Sequence, residues 1–502
     1  MARFYLALLL AQTVLCAQSP NIVFILVDDM GWSGTSIQYH PDYSSKSDYY
    51  HTPHLERLAS QSLVFSQAYA PASMCTPSRA SILTGKSPGQ LHITSPAPGR
   101  RKGSSSQKVI PPLHSNSLPE KEITIAELLK QKGYRTAHFG KWHLHSNGPG
   151  PHGFDTHDGD TENDGPGEYE HPNPKDIFGI TSRGITFMEQ HKKTPFYLQL
   201  SHYAVHSPTK AKRDSVESWT KKKPGSYHKD PTFAAMTSDF DTSVGMILDT
   251  IDRLGLTGNT WVVFTSDNGG PNKGRSSQNH PLAGGKGCLL EGGVRVPLFI
   301  RGPGIVPIPR TEPVIGYDLF STFCDIAGVT SLPAGVEGRT LTSLFSRPDP
   351  SFINRPLIFH NPHYGKGPGQ KPESSLLYQG KKYLYSYEES SGQLFNLDND
   401  ISESKDLASH KPEITDRYKK MLFAGLEKVK AQFPTTNDNF DSTTSADSQS
   451  TKTSPFFRRY DKNGDGKVSS QELGSSHRLK RLDQNRDGYV TADEAPAPPG
   501  RR

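Results

Sequence analysis

Four apolar runs, each followed at once by polar or charged residues, constrain the fold of this 502-residue chain more than any other feature. They cover residues 21–27, 135–139, 195–200 and 260–266. Continuous apolar runs of this length, bounded by turn residues, are typical of strands buried on both faces. We therefore expect a sheet that is covered on both sides.

Helical patterns lie between these runs. Residues 124–132 begin with a capping box, Thr124 with Glu127, and stop before Gly133. Residues 239–254 are periodic and stop before Gly255. Alternating strands and helices predict an α/β fold with a large mixed, mostly parallel sheet flanked by helices. Ligands of such sheets bind outside the carboxyl ends of the strands, which is where the polar residues follow here.

The pattern changes after residue 350, so we assign the α/β domain to residues 18–350. A small antiparallel subdomain is predicted over residues 351–432, from short strands at 357–360, 375–379, 382–387 and 394–397 and a closing helix at 411–431. Residues 433–455 are rich in Thr, Ser, Asp and Asn and predict a flexible linker. Residues 456–502 form a separate module.

The N-terminus predicts export. Arg3 precedes an apolar stretch at 4–14, and Ala17 offers a small residue at a cleavage point, so residues 1–17 are interpreted as a cleaved signal peptide. The stretch is too short for a membrane span, and no later segment is long enough. We expect a secreted or periplasmic protein. The 57 basic and 51 acidic residues form no dense basic block, which argues against a nucleic-acid partner.

Three cysteines remain in the mature chain, which is too few for a disulfide framework and unsuited in spacing to zinc. Cys288 and Cys324 could pair or remain thiols. Cys75 begins the run CTPSRASILTG at 75–85, where Pro77 favours the first turn of a helix. Cys75 is therefore expected at or just before a helix N-terminus, which favours an anion. A buried structural cysteine is the alternative for such a short motif.

The run at 75–85 resembles the motif of the type I sulfatases, in the alkaline phosphatase superfamily. The resemblance covers roughly residues 21–431 and implies an alkaline-phosphatase-like fold in which Cys75 is oxidised to formylglycine by a maturation enzyme. It implies an active-site calcium held by Asp28, Asp29, Cys75, Asp267 and Asn268. Carboxylate and amide oxygens suit such a hard cation.

Further motifs match the family in order along the chain. Catalytic residues implied by the matches are Cys75, Arg79, Lys141 and His143 of the GKWH motif, His206 of the HSP motif, and Lys286 of the GGKG motif. His202 and Arg295 are interpreted as structural. His360 and His363 lie where related sulfatases place substrate contacts, although a polar loop with incidental histidines is an equal alternative.

The implied chemistry is hydrolysis of a sulfate ester, and export favours a sulfated sugar or polysaccharide. One hydroxyl of the hydrated formylglycine would attack sulfur, and the second would later expel the sulfate. Lys141, Lys286 and calcium suit the sulfuryl oxygens. His206 is expected to protonate the leaving oxygen, and His143 to take a proton when sulfate is released.

The last segment resembles an EF-hand pair, a short helical module. Its candidate calcium ligands at loop positions 1, 3, 5, 7, 9 and 12 are Asp461, Asn463, Asp465, Lys467, Ser469 and Glu472, then Asp483, Asn485, Asp487, Tyr489, Thr491 and Glu494. Val468 and Val490 occupy the apolar position where paired loops touch. The loops lie close together and Pro496 shortens the last helix, so a structural or attachment role is expected rather than sensor-like opening.

Two rival functions follow from the same residues. A phosphatase, phosphodiesterase or phosphonate-ester hydrolase could use this fold, but most such relatives carry Ser or Thr at the nucleophile position. A non-catalytic calcium-binding surface protein would use the fold as a scaffold. The complete set of catalytic and metal-binding residue types speaks against that reading.

Overall fold

The computed structural model describes residues 19–97, 104–163, 173–271, 278–365, 369–441, 455–461, 467–474, 482–483 and 488–490. The predicted signal peptide, most of the predicted linker and the loop residues Asn463, Asp465, Asn485, Asp487, Thr491 and Glu494 lie outside the described residues. The chain divides into two compact units, residues 1–99 with 113–432, and residues 100–112 with 433–502.

The strands are, in chain order, β1 (Asn21–Val27), β2 (Leu63–Phe65), β3 (Ala68–Tyr69), β4 (Val109–Ile110), β5 (Arg135–Gly140), β6 (Thr156–His157), β7 (Phe196–Ser201), β8 (Thr260–Ser266), β9 (Leu298–Arg301), β10 (Pro309–Arg310), β11 (Val314–Ile315), β12 (Leu357–Asn361), β13 (Glu373–Tyr378), β14 (Lys381–Ser386), β15 (Ser391–Asn396), β16 (Thr435–Thr436), β17 (Val468–Ser469) and β18 (Tyr489–Val490). The helices are α1 (Pro53–Ala59), α2 (Cys75–Thr84), α3 (Pro88–Leu91), α4 (Ile125–Gln131), α5 (Ile177–His191), α6 (Arg213–Thr220), α7 (Pro231–Arg253), α8 (Glu291–Val294), α9 (Asp318–Ile326), α10 (Pro412–Lys428), α11 (Pro455–Tyr460) and α12 (Ser470–Leu473).

The large unit is built on an eight-stranded sheet in the order β10-β2-β9-β8-β1-β7-β5-β6. The neighbours from β8 to β6 pair in parallel, whereas β9 runs antiparallel to both β8 and β2. The predicted mixed, mostly parallel sheet is confirmed. The four apolar runs form four adjacent strands of this sheet, β8, β1, β7 and β5.

Side chains of β1 alternate between two cores because successive residues of a strand point to opposite faces. Val23, Ile25 and Val27 pack into one core with residues of α1, α5 and α7. Ile22 and Leu26 pack into the other core with residues of α2, α4 and α9. Burial on both faces explains why the strand sequences are continuously apolar.

The second sheet of the large unit is antiparallel, in the order β12-β13-β14-β15, and α10 packs against it. The bounds of its strands fall within three residues of the predicted positions. The boundary proposed between residues 350 and 351 stays a prediction. Within the described residues, Cys288 and Cys324 are both buried and no disulfide joins them.

In the other unit, β4 and β16 form a two-stranded antiparallel ladder. Thr435 and Thr436, which the sequence assigns to a linker, belong to this ladder. The EF-hand segment contains a second short ladder in which Val468 pairs with Val490, as expected for touching calcium loops. None of the helices described is long and apolar enough to cross a membrane.

Candidate active site

The central strands bring polar residues to one edge of the sheet. Val27 pairs with Ser266, and Gly140 pairs with Ser201, so the four carboxyl ends lie side by side. The residues that follow these strands at once are Asp28, Lys141, His202 and Asp267. The sheet therefore assembles residues that are up to 239 positions apart in sequence, as the Asn268–Asp29 hydrogen bond illustrates.

Cys75 is the first residue of α2 and points into this edge. Its Sγ lies 3.5 Å from Asp28 Oδ1 and accepts a hydrogen bond of 3.2 Å from Lys286 Nζ. Burial, and next the charge of Asp28, raise the pKa of the thiol to about 12. The unmodified side chain is therefore a protonated thiol at neutral pH, and a poor nucleophile.

Arg79 lies one turn further along α2 and joins two strand ends. Its Nε donates to Asp267 Oδ2 at 2.9 Å, and one terminal nitrogen donates to the Lys141 carbonyl at 2.6 Å. Lys141 Nζ in turn contacts Asp28 Oδ2 at 2.6 Å. All four side chains are buried. Although burial acts in the opposite direction, Lys141 and its neighbouring cations hold the pKa of Asp28 well below its usual range.

The predicted calcium ligands lie together. The ligand atoms of Asp28, Asp29, Cys75 and Asp267 fall within 4.8 Å of one another. Asn268 Nδ2 donates to Asp29 Oδ1 at 2.8 Å, while its buried Oδ1 has no hydrogen-bond partner among the described residues. An unpartnered buried carbonyl oxygen beside three buried carboxylates fits a hard divalent cation.

The two predicted catalytic histidines sit at this cluster with different surroundings. His143 Nε2 lies 3.5 Å from Glu162 Oε2, and its buried Nδ1 has no partner among the described residues. Burial, followed by the charge of Lys141, lowers the pKa of His143 to about 2. His206 Nδ1 donates to the Ser207 carbonyl at 2.5 Å, and its Nε2 faces Asp29 Oδ2 at 3.8 Å. Burial also lowers the pKa of His206.

Lys286 completes the charge balance of the site. Its Nζ contacts Asp29 Oδ1 at 2.6 Å. Burial disfavours its charge, but Asp29 and the other anions raise its pKa well above the usual range, so it remains a cation. Three buried carboxylates thus face two buried cations, Arg79 and Lys141, and the partly buried Lys286. The structure brings together every residue that the sequence assigned to the catalytic centre.

Two polar residues at the site were not predicted from the sequence. The Glu162 carboxylate contacts both His143 and, at 2.9 Å, His145 Nδ1. Gln278 Nε2 donates to the backbone carbonyl of Asp29 at 3.1 Å. The backbone carbonyl of Gln278 accepts from Ser33 Oγ at 2.7 Å. Both residues lie in loops without a recognisable pattern, so only the fold reveals them.

His202 and Arg295, interpreted as structural, are buried in packing roles. The His202 ring packs edge-on against Phe240. Arg295 donates to the Ser66 carbonyl at 2.7 and 2.9 Å and pairs with Glu291 at 3.2 Å.

The two histidines assigned to substrate contacts are largely buried. His360 Nδ1 contacts Ser374 Oγ at 2.7 Å, and its Nε2 donates to the Gln432 carbonyl at 2.9 Å. Because both ring nitrogens are engaged inside the protein, this arrangement argues for a structural role of His360. His363 Nε2 contacts Thr94 Oγ1 at 2.6 Å, and its ring packs against that of His114.

Candidate EF-hand ligands that the structure describes are Asp461, Lys467, Ser469, Glu472, Asp483 and Tyr489. Ser469 and Glu472 form a capping box at the start of α12, with Glu472 Oε2 accepting from the Ser469 amide at 2.9 Å. Asp483 Oδ2 accepts from the Gly488 amide at 3.0 Å. A carboxylate turned inward on its own loop is typical of such loops.

Comparison with known proteins supports the geometry. The family profile described as sulfatase matches residues 20–329, and an EF-hand profile matches residues 454–475. Bovine arylsulfatase A is 30% identical over 391 residues, which cover 68% of this chain and 71% of that protein. Mouse N-acetylgalactosamine-6-sulfatase is 30% identical over 352 residues, or 62% of this chain; the match spans about 63% of that relative's length.

Solved structures share the fold. Ps i-CgsB superposes with a TM-score of 0.69 at 24% identity and covers 85% of this chain and 96% of its own. The protein BT4656, solved with its substrate D-glucosamine-2-N,6-O-disulfate, has a TM-score of 0.67 at 18% identity, covering 82% and 98%. Asp28, Asp29, Asp267 and Asn268, which we call the strand-end cluster, lie inside the matched residues. Because the profile matches well over half of the chain, this chain belongs to the sulfatase family.

Proposed function

We propose that the chain hydrolyses sulfate esters of carbohydrates, using a formylglycine derived from Cys75 and a calcium ion. The observation that carries this proposal is the position of Cys75. It begins α2 next to Asp28 and Lys286, inside a cluster of three buried carboxylates and three cations, of which two are buried.

The side chain of Cys75 suits conversion better than direct use. Its pKa of about 12 keeps the thiol protonated, so the unmodified residue offers little thiolate. A formylglycine at this position supplies, as its hydrate, one hydroxyl for attack on sulfur and a second for releasing sulfate afterwards. A formylglycine-generating enzyme is therefore the maturation partner that we propose.

Asp28, Asp29, Asp267 and Asn268 would hold the calcium ion, which lowers the pKa of an adjacent hydroxyl and binds a sulfate oxygen. Arg79 links α2 to the ends of β8 and β5, because it donates hydrogen bonds to Asp267 and to the Lys141 carbonyl. The support is the unpartnered Asn268 Oδ1 together with the three carboxylates of Asp28, Asp29 and Asp267, whose oxygens cluster with the Cys75 sulfur.

Lys141 and Lys286 stabilise negative charge on the sulfuryl oxygens. The Lys141 side chain is fully buried and that of Lys286 is only 17% exposed, so water screens both ammonium groups little and their interaction with an anion is strong. Each already neutralises a carboxylate, Lys141 that of Asp28 and Lys286 that of Asp29. The pairing holds the two cations in place before a substrate arrives.

His206 and His143 divide the proton transfers. His206 donates from Nδ1 to a carbonyl, so its Nε2 faces the site, and the doubly protonated imidazolium form of the ring would give its Nε2 proton to the leaving oxygen. His143 directs Nε2 to Glu162, which leaves Nδ1 to accept a proton when sulfate is released. Because burial lowers the pKa of His143 to about 2, it enters the reaction as a neutral base.

The substrate class is supported by the relatives. Mouse N-acetylgalactosamine-6-sulfatase and the ulvan-active sulfatase of Formosa agariphila, 29% identical over 408 residues, are both named for carbohydrate substrates. The predicted signal peptide at 1–17 favours an enzyme that acts outside the cytoplasm, which suits a sulfated polysaccharide as substrate. We propose that the EF-hand pair binds further calcium as a structural or attachment module.

Mass spectrometry across Cys75 tests the proposal directly. Protein exported by a host with a maturation enzyme should yield a peptide with the mass of an aldehyde or its hydrate, and should cleave an aryl sulfate. Cys75→Ala should lose this activity. A persistent thiol after co-expression of the maturation enzyme, or faster cleavage of the phosphate than of the sulfate ester of one phenol, would refute the assignment.

A further inference from the structure

A stacked pair of aromatic rings lies on the surface near the active site. Tyr227 and His280 stack with ring centroids 3.4 Å apart and an interplanar angle of 13°. Tyr227 is nevertheless 50% exposed, among the most exposed large apolar side chains described. Since one face of its ring is covered by His280, the opposite face is the one available to a ligand.

The loop that carries Tyr227 is held rigidly by one carboxylate. Asp48 accepts hydrogen bonds from the amides of Ser226, Tyr227 and His228 at 2.5, 3.0 and 3.1 Å. It also pairs with His228 Nδ1 at 2.7 Å. Although burial opposes it, these hydrogen bonds lower the pKa of Asp48 to about 2, so this clamp stays charged. A ring on a fixed backbone loses little entropy when it binds.

A short chain of contacts ties this loop to the catalytic centre. His228 Nε2 lies 3.5 Å from Ser33 Oγ, which donates to the Gln278 carbonyl, and Gln278 Nε2 donates to the Asp29 carbonyl. His280 follows Gln278 by two residues, so their Cα atoms are at most about 8 Å apart. The aromatic pair is therefore a neighbour of the calcium site.

The same loop is strongly basic. Lys221, Lys222, Lys223 and Lys229 are all exposed, and residues 220–229 contain no acidic side chain. Lys222 Nζ sits 3.5 Å above the Trp219 ring. An exposed aromatic face surrounded by cations suits a sugar ring that carries sulfate groups.

We propose that Tyr227, His280 and the surrounding lysines form a subsite for a second sugar unit of a sulfated polymer. This proposal rests on the proposed function, because it places one sugar at the catalytic centre and the next on the Tyr227 ring. The ring packs against the apolar C–H face of the sugar, and the lysines attract its sulfates.

Binding to the full-length Cys75→Ala protein tests the subsite without turnover. Calorimetry would compare hexasaccharides with disaccharides of chondroitin sulfate, heparin and iota-carrageenan. At least one hexasaccharide should bind more tightly than its disaccharide, and adding Tyr227→Ala should weaken it roughly three- to tenfold. The disaccharide should change less than about twofold. Tyr227→Phe keeps the ring and should behave like the parent.

Ile353→Ala is the control, since it removes another exposed large apolar side chain, 43% exposed, from a residue outside every proposed site. Lys221→Ser with Lys223→Ser should flatten the salt dependence of hexasaccharide binding. The subsite is refuted if no hexasaccharide binds more tightly than its disaccharide, or if Tyr227→Ala leaves hexasaccharide binding within twofold. A parallel aryl sulfate assay on matured wild-type protein separates the outcomes, because failure there refutes the sulfatase proposal alone.

Discussion

The planar guanidinium of Arg79 connects α2 to two strand ends of the site. It bonds Asp267 and the Lys141 carbonyl at the same time, with its side chain only 3% exposed. A lysine has a single nitrogen and cannot reproduce this fork. The position of α2, and with it that of Cys75, therefore depends on the guanidinium and not on the charge alone.

We expect Arg79→Lys to lower kcat/KM for an aryl sulfate by roughly 100-fold or more, because both neighbours lose a fixed donor. Steady-state kinetics on fully matured protein would measure the effect. Arg57→Lys is the matched control, since Arg57 makes a surface pair with Asp249 at 2.7 Å. Equal activities of the two variants would contradict the positioning role.

At the residue scale, the sequence predicted the charged centre well and its surroundings poorly. Asp28 and Asp267 were predictable because each directly follows a buried strand, and parallel strands end together. Glu162 and Gln278 reach the site from irregular loops, and no spacing in the sequence indicates such contacts. A substrate contact was predicted for His360 from its position in the family motif, with an incidental polar-loop histidine as the equal alternative, and the ladder from β12 to β13 places it beside Ser374.

A buried ionic group connects the antiparallel sheet to α8. Lys382 of β14 contacts Glu291 at 3.1 Å and Glu403 at 3.0 Å, and all three side chains are buried. Arg295 pairs with the other oxygen of Glu291. The group contains two cations and two anions. Removal of one member leaves an uncompensated charge in a medium of low polarity.

Lys382→Met should therefore lower the free energy of unfolding by about 3–5 kcal/mol. Urea denaturation at neutral pH would measure it. The control is Lys420→Met, which breaks the exposed pair with Asp416 in α10 and should cost less than about 1 kcal/mol. Similar losses in the two variants would show that burial of the Lys382 group is not what matters.

Asp241 of α7 caps α1, accepting from the His54 and Leu55 amides at 3.1 and 2.8 Å. Burial raises its pKa from 3.8 to about 7. Between these values the folded chain binds a proton that the unfolded chain has released, so this group makes the protein less stable as pH rises from about 4 to 7. The maximum slope is about 1.4 kcal/mol per pH unit.

Asp241→Asn should remove that contribution, so the stability of the variant relative to wild type should improve with rising pH over the same interval. Urea midpoints at several pH values would show it. Asp249→Asn, an exposed change on the same helix, should leave the profile as it is. If the difference in stability between Asp241→Asn and wild type did not change with pH, the expectation would be contradicted.

Element positions were predicted most accurately where burial is most complete. β1 and β8 match their apolar runs at both ends because the whole run is buried on two faces. The helix predicted to begin at residue 239 begins at Pro231 instead, with Asp230 as its N-cap. The sequence did not predict its first two turns. The apolar residues of these turns pack into a core that forms only when the chain folds. Strands as short as β2 and β10, three and two residues long, are too short to show a hydrophobic period in the sequence.

On the scale of the whole molecule, calcium binding should separate into two kinds of site. We expect three calcium ions per matured chain, one at the strand-end cluster and two in the EF-hand loops. Glu472→Gln with Glu494→Gln should reduce the count to one, since bidentate position-12 ligands are lost. Asp29→Asn should reduce it to two. Equilibrium dialysis with atomic absorption would give these stoichiometries, and an unchanged count in either variant would refute its assignment.

Cys75 is only 2% exposed in the folded protein. Access of another enzyme to its side chain therefore depends on when the chain folds. Lys286, which covers its sulfur, is translated 211 residues later. At ordinary rates of synthesis the ribosome needs about 10 to 40 seconds to produce that stretch. During this interval the site around Cys75 cannot close, because Lys286 has not yet been synthesised. An enzyme that converts Cys75 to formylglycine, as we propose, would have to act before the site closes, so conditions that speed folding should leave more unconverted thiol.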